Sequence, residues 1–374
     1  LITGDFLLPL ESEKYIRRDS NTGPIIVHDR LDPSRLPPAE LASMRRKRSW
    51  LRWLVQAVAL GLVAVFLTIA VRHALDQLRL SPEVLAWERI RWLPLVLGIL
   101  LSGGAIFPSG IAWLQTLRDF QTQVAFGQGL YAYFLGHLGK YVPGKTMAIL
   151  LRVGYLHRLG VPVRPTILSV FIETLTSLIS GSILGALFLQ TMTAPLWLKA
   201  CALACIPLAI AMLIPNTFRW LITKISRSRL GSMPEHIAQA IGWKLMVRCT
   251  AWSMLGWLMH GSAAWLLLLA IQPDVHLYSV RAWSTCVASS ALAALAGFVS
   301  LLPGGAGVRE LVATWGIATL VPPPVALVSA FVTRLAVIAS ELVILAALAF
   351  WIQVLPEFRR RGESRRENDQ DRGI

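Results

Sequence analysis

Apolar residues run in long blocks along this chain, and charges gather in the short stretches between them. Blocks of about 20 apolar residues are long enough to cross a bilayer as helices. The pattern predicts spans near 52–71, 91–112, 120–138, 165–189, 196–215, 246–270, 283–302 and 325–354. Two further segments are apolar yet charged. YVPGKTMAILLRVGYLHRLG, 141–160, carries Lys145, Arg152, His157 and Arg158; LPGGAGVRELVATWGIATL, 302–320, carries Arg309 and Glu310. Both are too polar to face lipid. The expected fold is therefore an all-α polytopic membrane protein with about 8–10 membrane segments. Two of these are broken or re-entrant at Pro-Gly.

Charge placement predicts the topology. Basic residues cluster at Arg45, Arg46, Lys47 and Arg48, in the loop 216–244, and at Arg359, Arg360 and Arg361. The excess of Lys and Arg marks cytosolic loops. Both termini and the 216–244 loop are then cytosolic, and the loops 190–195, 271–282 and 321–324 lie outside. That assignment needs ten crossings, or paired half-helices that preserve the same parity. If the two charged segments singly dip in and return, eight crossings remain and the basic loop lands outside. Residues 1–49 read as a disordered cytosolic tail, 50–355 as the membrane domain and 356–374 as a charged cytosolic tail. No basic start precedes a short apolar core with a cleavage site, so the N-terminal stretch does not read as a signal peptide.

The two charged segments also match each other. Pro143-Gly144 corresponds to Pro303-Gly304, and Val161-Pro162 to Val321-Pro322, both at an offset of 160 residues. The same offset lays 120–138 onto 283–302 and 165–189 onto 325–354. Five crossings separate the matched segments in the ten-span topology, so the repeat is inverted, an arrangement typical of transporters with a site between two halves. A helix broken at mid-membrane exposes N–H groups that must meet protein, water or a ligand. Such helix starts favour anions, a phosphate oxygen among them. Gly144, Gly304, Gly305 and Gly307 would allow close backbone approach there.

Composition narrows the function. Hydrophobic residues make up 55% of 374 and charged residues 15%, against about a quarter charged in soluble domains. Mean hydropathy is +0.58. The net charge of +15 sits mostly in tails and loops beside apolar spans. It fits topology and anionic headgroup contact better than nucleic acid. Cys201, Cys205, Cys249 and Cys286 lie in or beside apolar segments without CxxC spacing, so they read as packing residues, not as metal ligands or a disulfide framework. GKYVPGKT at 139–146 fits GxxxxGK[ST] in its letters, but it joins two apolar segments and does not follow a strand, so it does not read as a nucleotide-binding loop. The chain contains no GxSxG or HxxxH pattern, which argues against a nucleophile elbow or a zinc helix. No catalytic residue, metal or cofactor is expected.

The ionisable residues within the apolar blocks are the candidate chemistry, because each costs on the order of 2.5–3.5 kcal/mol if unpaired. Lys145, Arg152, Arg309 and Arg334 are the expected headgroup ligands. Glu173, Glu310 and Glu341 would balance charge or couple transport. Arg334 and Glu341 stand seven residues apart and share a helix face. Glu173 and Arg334 fall at adjacent positions of the repeat, which suggests a shared cavity and a pair.

LGKYVPGKTMAILLRVGYLHRLGV, FIETLTSLISGSIL and SLLPGGAGVRELVATWGIATLVPPPVALVSAFVTRLAVIASELVILAAL together resemble the family named after the transmembrane region of lysylphosphatidylglycerol synthase. This is the flippase-like domain of the bacterial multiple-peptide-resistance protein. The resemblance covers about residues 50–355. Its most specific parts are Pro-Gly-Gly-x-Gly-x-x-Glu at 303–310, the Arg334 that follows, and the first Pro-Gly with Lys145 and Arg152. The first signature reads Pro-Gly-Lys here, where many relatives read Pro-Gly-Arg-x-Gly-Glu. The resemblance implies movement of an anionic phospholipid or lipid-linked headgroup between leaflets of the bacterial cytoplasmic membrane. It also implies work beside a lipid synthase or glycosyltransferase. It does not imply synthase activity or tRNA binding within these residues. Two alternatives stand beside it: a membrane-embedded lipid or glycolipid transferase, which needs a free acid/base carboxylate, and a non-catalytic membrane partner of a glycosyltransferase, which needs no polar cavity.

Overall fold

The computed structural model describes residue 72 and residues 90–141, 146–230, 234–300 and 302–353. The expected tails, the span at 52–71 and the first Pro-Gly with Lys145 lie outside the described residues. Twelve helices occur among the described residues: Trp92–Gly104 (α1), Phe107–Asp119 (α2), Phe126–Leu138 (α3), Met147–Arg158 (α4), Val163–Leu189 (α5), Leu196–Leu213 (α6), Pro215–Leu230 (α7), Glu235–Ala240 (α8), Trp243–Ile271 (α9), Val280–Val299 (α10), Val308–Ile317 (α11) and Pro323–Gln353 (α12). Short 3₁₀ turns stand at Gly139–Tyr141, Val275–Leu277 and Pro303–Gly305.

Six helical stretches are long and apolar enough to cross a membrane: α1 with α2, α5, α6, α9, α10 and α12. The chain is an all-α polytopic membrane protein. The expected eight to ten segments reduce to these six among the described residues. The reason is helix length. α3, α4 and α11 have 13, 12 and 10 residues, and at 1.5 Å per residue none spans a hydrocarbon core of about 30 Å. Hydropathy registers how apolar a stretch is, not how long its helix runs unbroken. The second expected span is longer than its apolar block, reaching Asp119. Its halves meet at Ala105–Ile106, just before Pro108, whose ring would strike the carbonyl of Gly104 in a continuous helix.

α9 is the hub, packing against α1, α2, α5, α10 and α12. Small side chains let helices approach closely, as membrane interfaces require. Ala, Ser and Gly dominate the buried face of α10, and a Cβ on Gly261 would come within 2.4 Å of Val287. α6 carries no buried residue at all; it is apolar on every side, as a lipid-facing helix is. Cys201 and Cys205 are exposed there, whereas Cys249 and Cys286 are buried, so only the latter two serve as core residues. Trp92, Trp243 and Trp351 are exposed near helix ends, where an aromatic belt would place them. Trp257 and Trp265 instead donate to the carbonyls of Ser177 and Leu277 inside the bundle.

Two of the apolar clusters draw on different helices. One gathers Phe120, Leu168, Phe218, Ile222, Ile237 and Leu245, next to the Arg248–Asp119 ion pair. The other gathers Leu268, Leu277, Cys286, Ile317, Val321 and Val325. α3 lies against α4, with Gly139 on Ala148, Gly136 on Arg152 and Tyr131 on Tyr155. That contact order is antiparallel. α10 lies against α11 in the same sense, with Gly297 on Arg309 and Ser289 on Gly316. The turns Gly139–Tyr141 and Pro303–Gly305 touch.

Candidate functional site

The site is built where those two turns meet. Tyr133 and His137 stand one helical turn apart on α3, so both face the same way. Lys140 and Tyr141 follow in the 3₁₀ turn. α5 adds Glu173, α9 adds His260, and α12 adds Arg334 and Glu341. α11 begins with Arg309 and Glu310. A cavity of about 180 Å³ opens among them, lined by Tyr133, His137, Lys140, Glu173, His260, Arg309 and Glu341. A smaller one of about 60 Å³ lies between α9, α10, α11 and α12, lined by His260, Ser290, Arg309, Glu310, Thr333 and Arg334 among others. His260, Ala294, Arg309 and Val337 line both.

Each carboxylate has a cation. Glu173 accepts from Arg152 at 3.0 Å and from the Tyr133 hydroxyl at 3.1 Å. The Arg152 guanidinium lies 4.2 Å from the Tyr133 ring centre and 5.2 Å from that of Trp113, a cation–π placement that partly offsets its burial. Glu341, only 1% exposed, pairs with Lys140. It also accepts from Tyr141 at 2.9 Å and lies 3.3 Å from His137 Nδ1. Glu310 pairs with Arg334 at 3.6 Å and accepts from the Gly307 N–H at 2.6 Å. Arg334 also donates to the Gly304 carbonyl at 2.9 Å.

Arg309 is different. It has no ion pair and no hydrogen bond among the described residues, and its Nε is buried without a partner. Its stem crosses Gly297 and Gly305, where a Cβ would meet it at 2.5 and 3.0 Å. Among the described residues the cluster thus holds four basic side chains (Lys140, Arg152, Arg309, Arg334) against three carboxylates (Glu173, Glu310, Glu341). The guanidinium that remains over faces both cavities.

The expected Glu173–Arg334 pair does not form. A shared register says how far along a helix a residue lies; successive positions still point about 100° apart. Each finds a nearer partner instead. Arg334 and Glu341 do share a face, and Tyr141 touches both, its ring 5.2 Å from the Arg334 guanidinium. Gly304, Gly305 and Gly307 have φ of 60°, 68° and 82°, the left-handed region that glycine enters without strain. Glu310 sits at the third position of α11 and reaches back to the Gly307 N–H, as in a capping box, so one donor of that helix start is already used. Gly144 and Lys145 lie outside the described residues. Tyr133, Tyr141 and His260 were not singled out from sequence. His260 was the most legible of these, a titratable residue inside the long apolar block of α9.

Residues 53–345 match the family described as "Lysylphosphatidylglycerol synthase TM region". The chain belongs to that family. A comparison with curated proteins finds no match. Membership and the multi-span helical fold support a flippase-type transport role in general. Among the described residues, no group of three His, Cys, Asp or Glu side chains could hold a metal.

Proposed function

We propose that this chain carries an anionic, phosphate-bearing lipid headgroup between leaflets of the bacterial cytoplasmic membrane, through the cavity around Arg309. The observation that carries this reading is the unpaired guanidinium facing a polar cavity at the centre of an apolar bundle. A buried charge without a partner is strongly unfavourable, and a passing phosphate would neutralise it with charge-assisted hydrogen bonds. Arg334, which borders the smaller cavity with Arg309, would share the load, and acyl chains would stay in lipid. A lipid synthase or glycosyltransferase would supply the substrate.

Alternating access would come from an inverted arrangement. α3 with α4 forms one helical hairpin and α10 with α11 the other. The ends of the first adjoin the cluster around Phe120 and the basic loop; those of the second adjoin the cluster around Leu277. In this reading the hairpins dip in from opposite faces and meet at their tips. α10, although long enough to cross, serves in this reading as one arm of a hairpin, and the full crossings are then the span expected from sequence at 52–71, α1–α2, α5, α6, α9 and α12. Both termini and the 216–244 loop stay cytosolic, as the basic residues favour. The transferase alternative has less support, because Glu173, Glu310 and Glu341 are all engaged by cations and none is free to act as a base.

The test is transbilayer movement of a fluorescent anionic phospholipid in liposomes holding the purified chain. Removing a charged hydrogen-bonding partner costs about 1.5–3 kcal/mol, so Arg309→Gln is expected to slow movement at least about tenfold. An unchanged rate in folded Arg309→Gln protein would overturn the assignment.

A further inference from the structure

The small cavity beside Arg309 has a composition of its own. It measures about 60 Å³, space for a small ion or a few waters. Its walls are mostly apolar, and most of the polar groups on them are donors. Arg309 Nε and Thr333 Oγ1 are both buried without a hydrogen-bond partner. The Arg334 guanidinium and the Ser290 side chain also border it. Its carboxylate, Glu310, is already shared between Arg334 and the Gly307 N–H. A buried, donor-rich pocket with an excess positive charge selects an anion over water, because water brings no charge to offset the guanidinium.

We infer that this pocket is a binding site for a small inorganic anion of halide size, held by Arg309 and the Thr333 hydroxyl. The anion would stabilise the chain between headgroups, and a phosphate arriving in the larger cavity would compete with it for the same guanidinium. The binding itself does not depend on lipid transport, so the two readings can fail separately.

The experiment uses the full chain in detergent, at constant ionic strength, with chloride replaced stepwise by gluconate. Radiolabelled chloride binding and the thermal midpoint are both measured. Saturable binding of one chloride per chain is expected, with a midpoint that rises along the same curve. Arg309→Gln should weaken binding at least about tenfold, as loss of a charged partner does. Thr333→Val, which keeps every charge and nearly the same shape, should weaken it by about threefold to tenfold, as loss of one hydroxyl donor does. Absence of saturable chloride binding to the parent chain overturns the inference whatever the variants do. So does equal binding by parent and Thr333→Val together with Arg309→Gln. Stabilisation by vesicles of anionic phospholipid, with none from chloride or inorganic phosphate, overturns it while leaving the transport reading intact.

Discussion

Each carboxylate inside this apolar bundle is held by pairing with a cation. Glu341 shows the consequence. It is buried to 1% and receives Lys140, Tyr141 and His137 together. Glu341→Gln should lower stability by up to about 3 kcal/mol, since it leaves a partly buried ammonium facing a neutral amide. The double variant Lys140→Met/Glu341→Gln should regain part of that loss, read as the thermal midpoint in detergent. A double variant no better than the single one would mean the pair contributes no coupling. Glycine matters by contact as well as by dihedral. A methyl on Gly297 would come within 2.5 Å of the Arg309 stem, so Gly297→Ala should cost about 1–3 kcal/mol by overpacking, and it should also displace the guanidinium the proposed transport uses.

At the scale of elements, the short helices are fixed by their ends. α11 starts after Gly307 at φ 82° and ψ −53°, a sparsely populated conformation costing about 1–3 kcal/mol in any other residue. Gly307→Ala should lower the thermal midpoint accordingly, while Val308→Ala, one residue on and already helical, should do much less. Outside the membrane, the turn at Val275–Leu277 is tied to the α11–α12 connection by His276, whose Nε2 lies 3.2 Å from the Leu320 carbonyl. That bond, and then Asp274 beside it, raise the imidazole above its ordinary value. A raised value means the protonated form is favoured in the folded chain. The protonated ring can donate to Leu320 and Asp274 at once, so its added stabilisation is complete in acid and is lost as pH rises through the His276 value. An NMR titration should find His276 above the value of an unstructured histidine; a value at or below it would remove the tether.

For the whole molecule, the decisive question is sidedness. The loops at 216–244 and 271–282 are expected on opposite faces. Ser228→Cys and Gln272→Cys, each in a background without the exposed Cys201 and Cys205, should label from opposite sides of intact vesicles. Labelling from one side would remove the paired-hairpin topology and, with it, alternating access between inverted halves. The α9 hub makes a related point. Five neighbouring helices share it, α10 among them, so motion of the proposed α10–α11 hairpin must work against this element.

Chain order alone determined that this protein lives in the bilayer, because long apolar blocks have no other stable solvent. It also marked Arg152, Glu173, Arg309, Glu310, Arg334 and Glu341, since a charge inside such a block always needs a reason. Only the folded molecule decided which charges meet. Partners such as Lys140 and Glu341 lie 201 residues apart, and no periodicity reports which face of one helix meets which face of another. The same holds for Arg309, which looks like the other arginines along the chain. Its lack of a counter-ion is a property of three-dimensional packing, because pairing depends on distances that side-chain geometry sets.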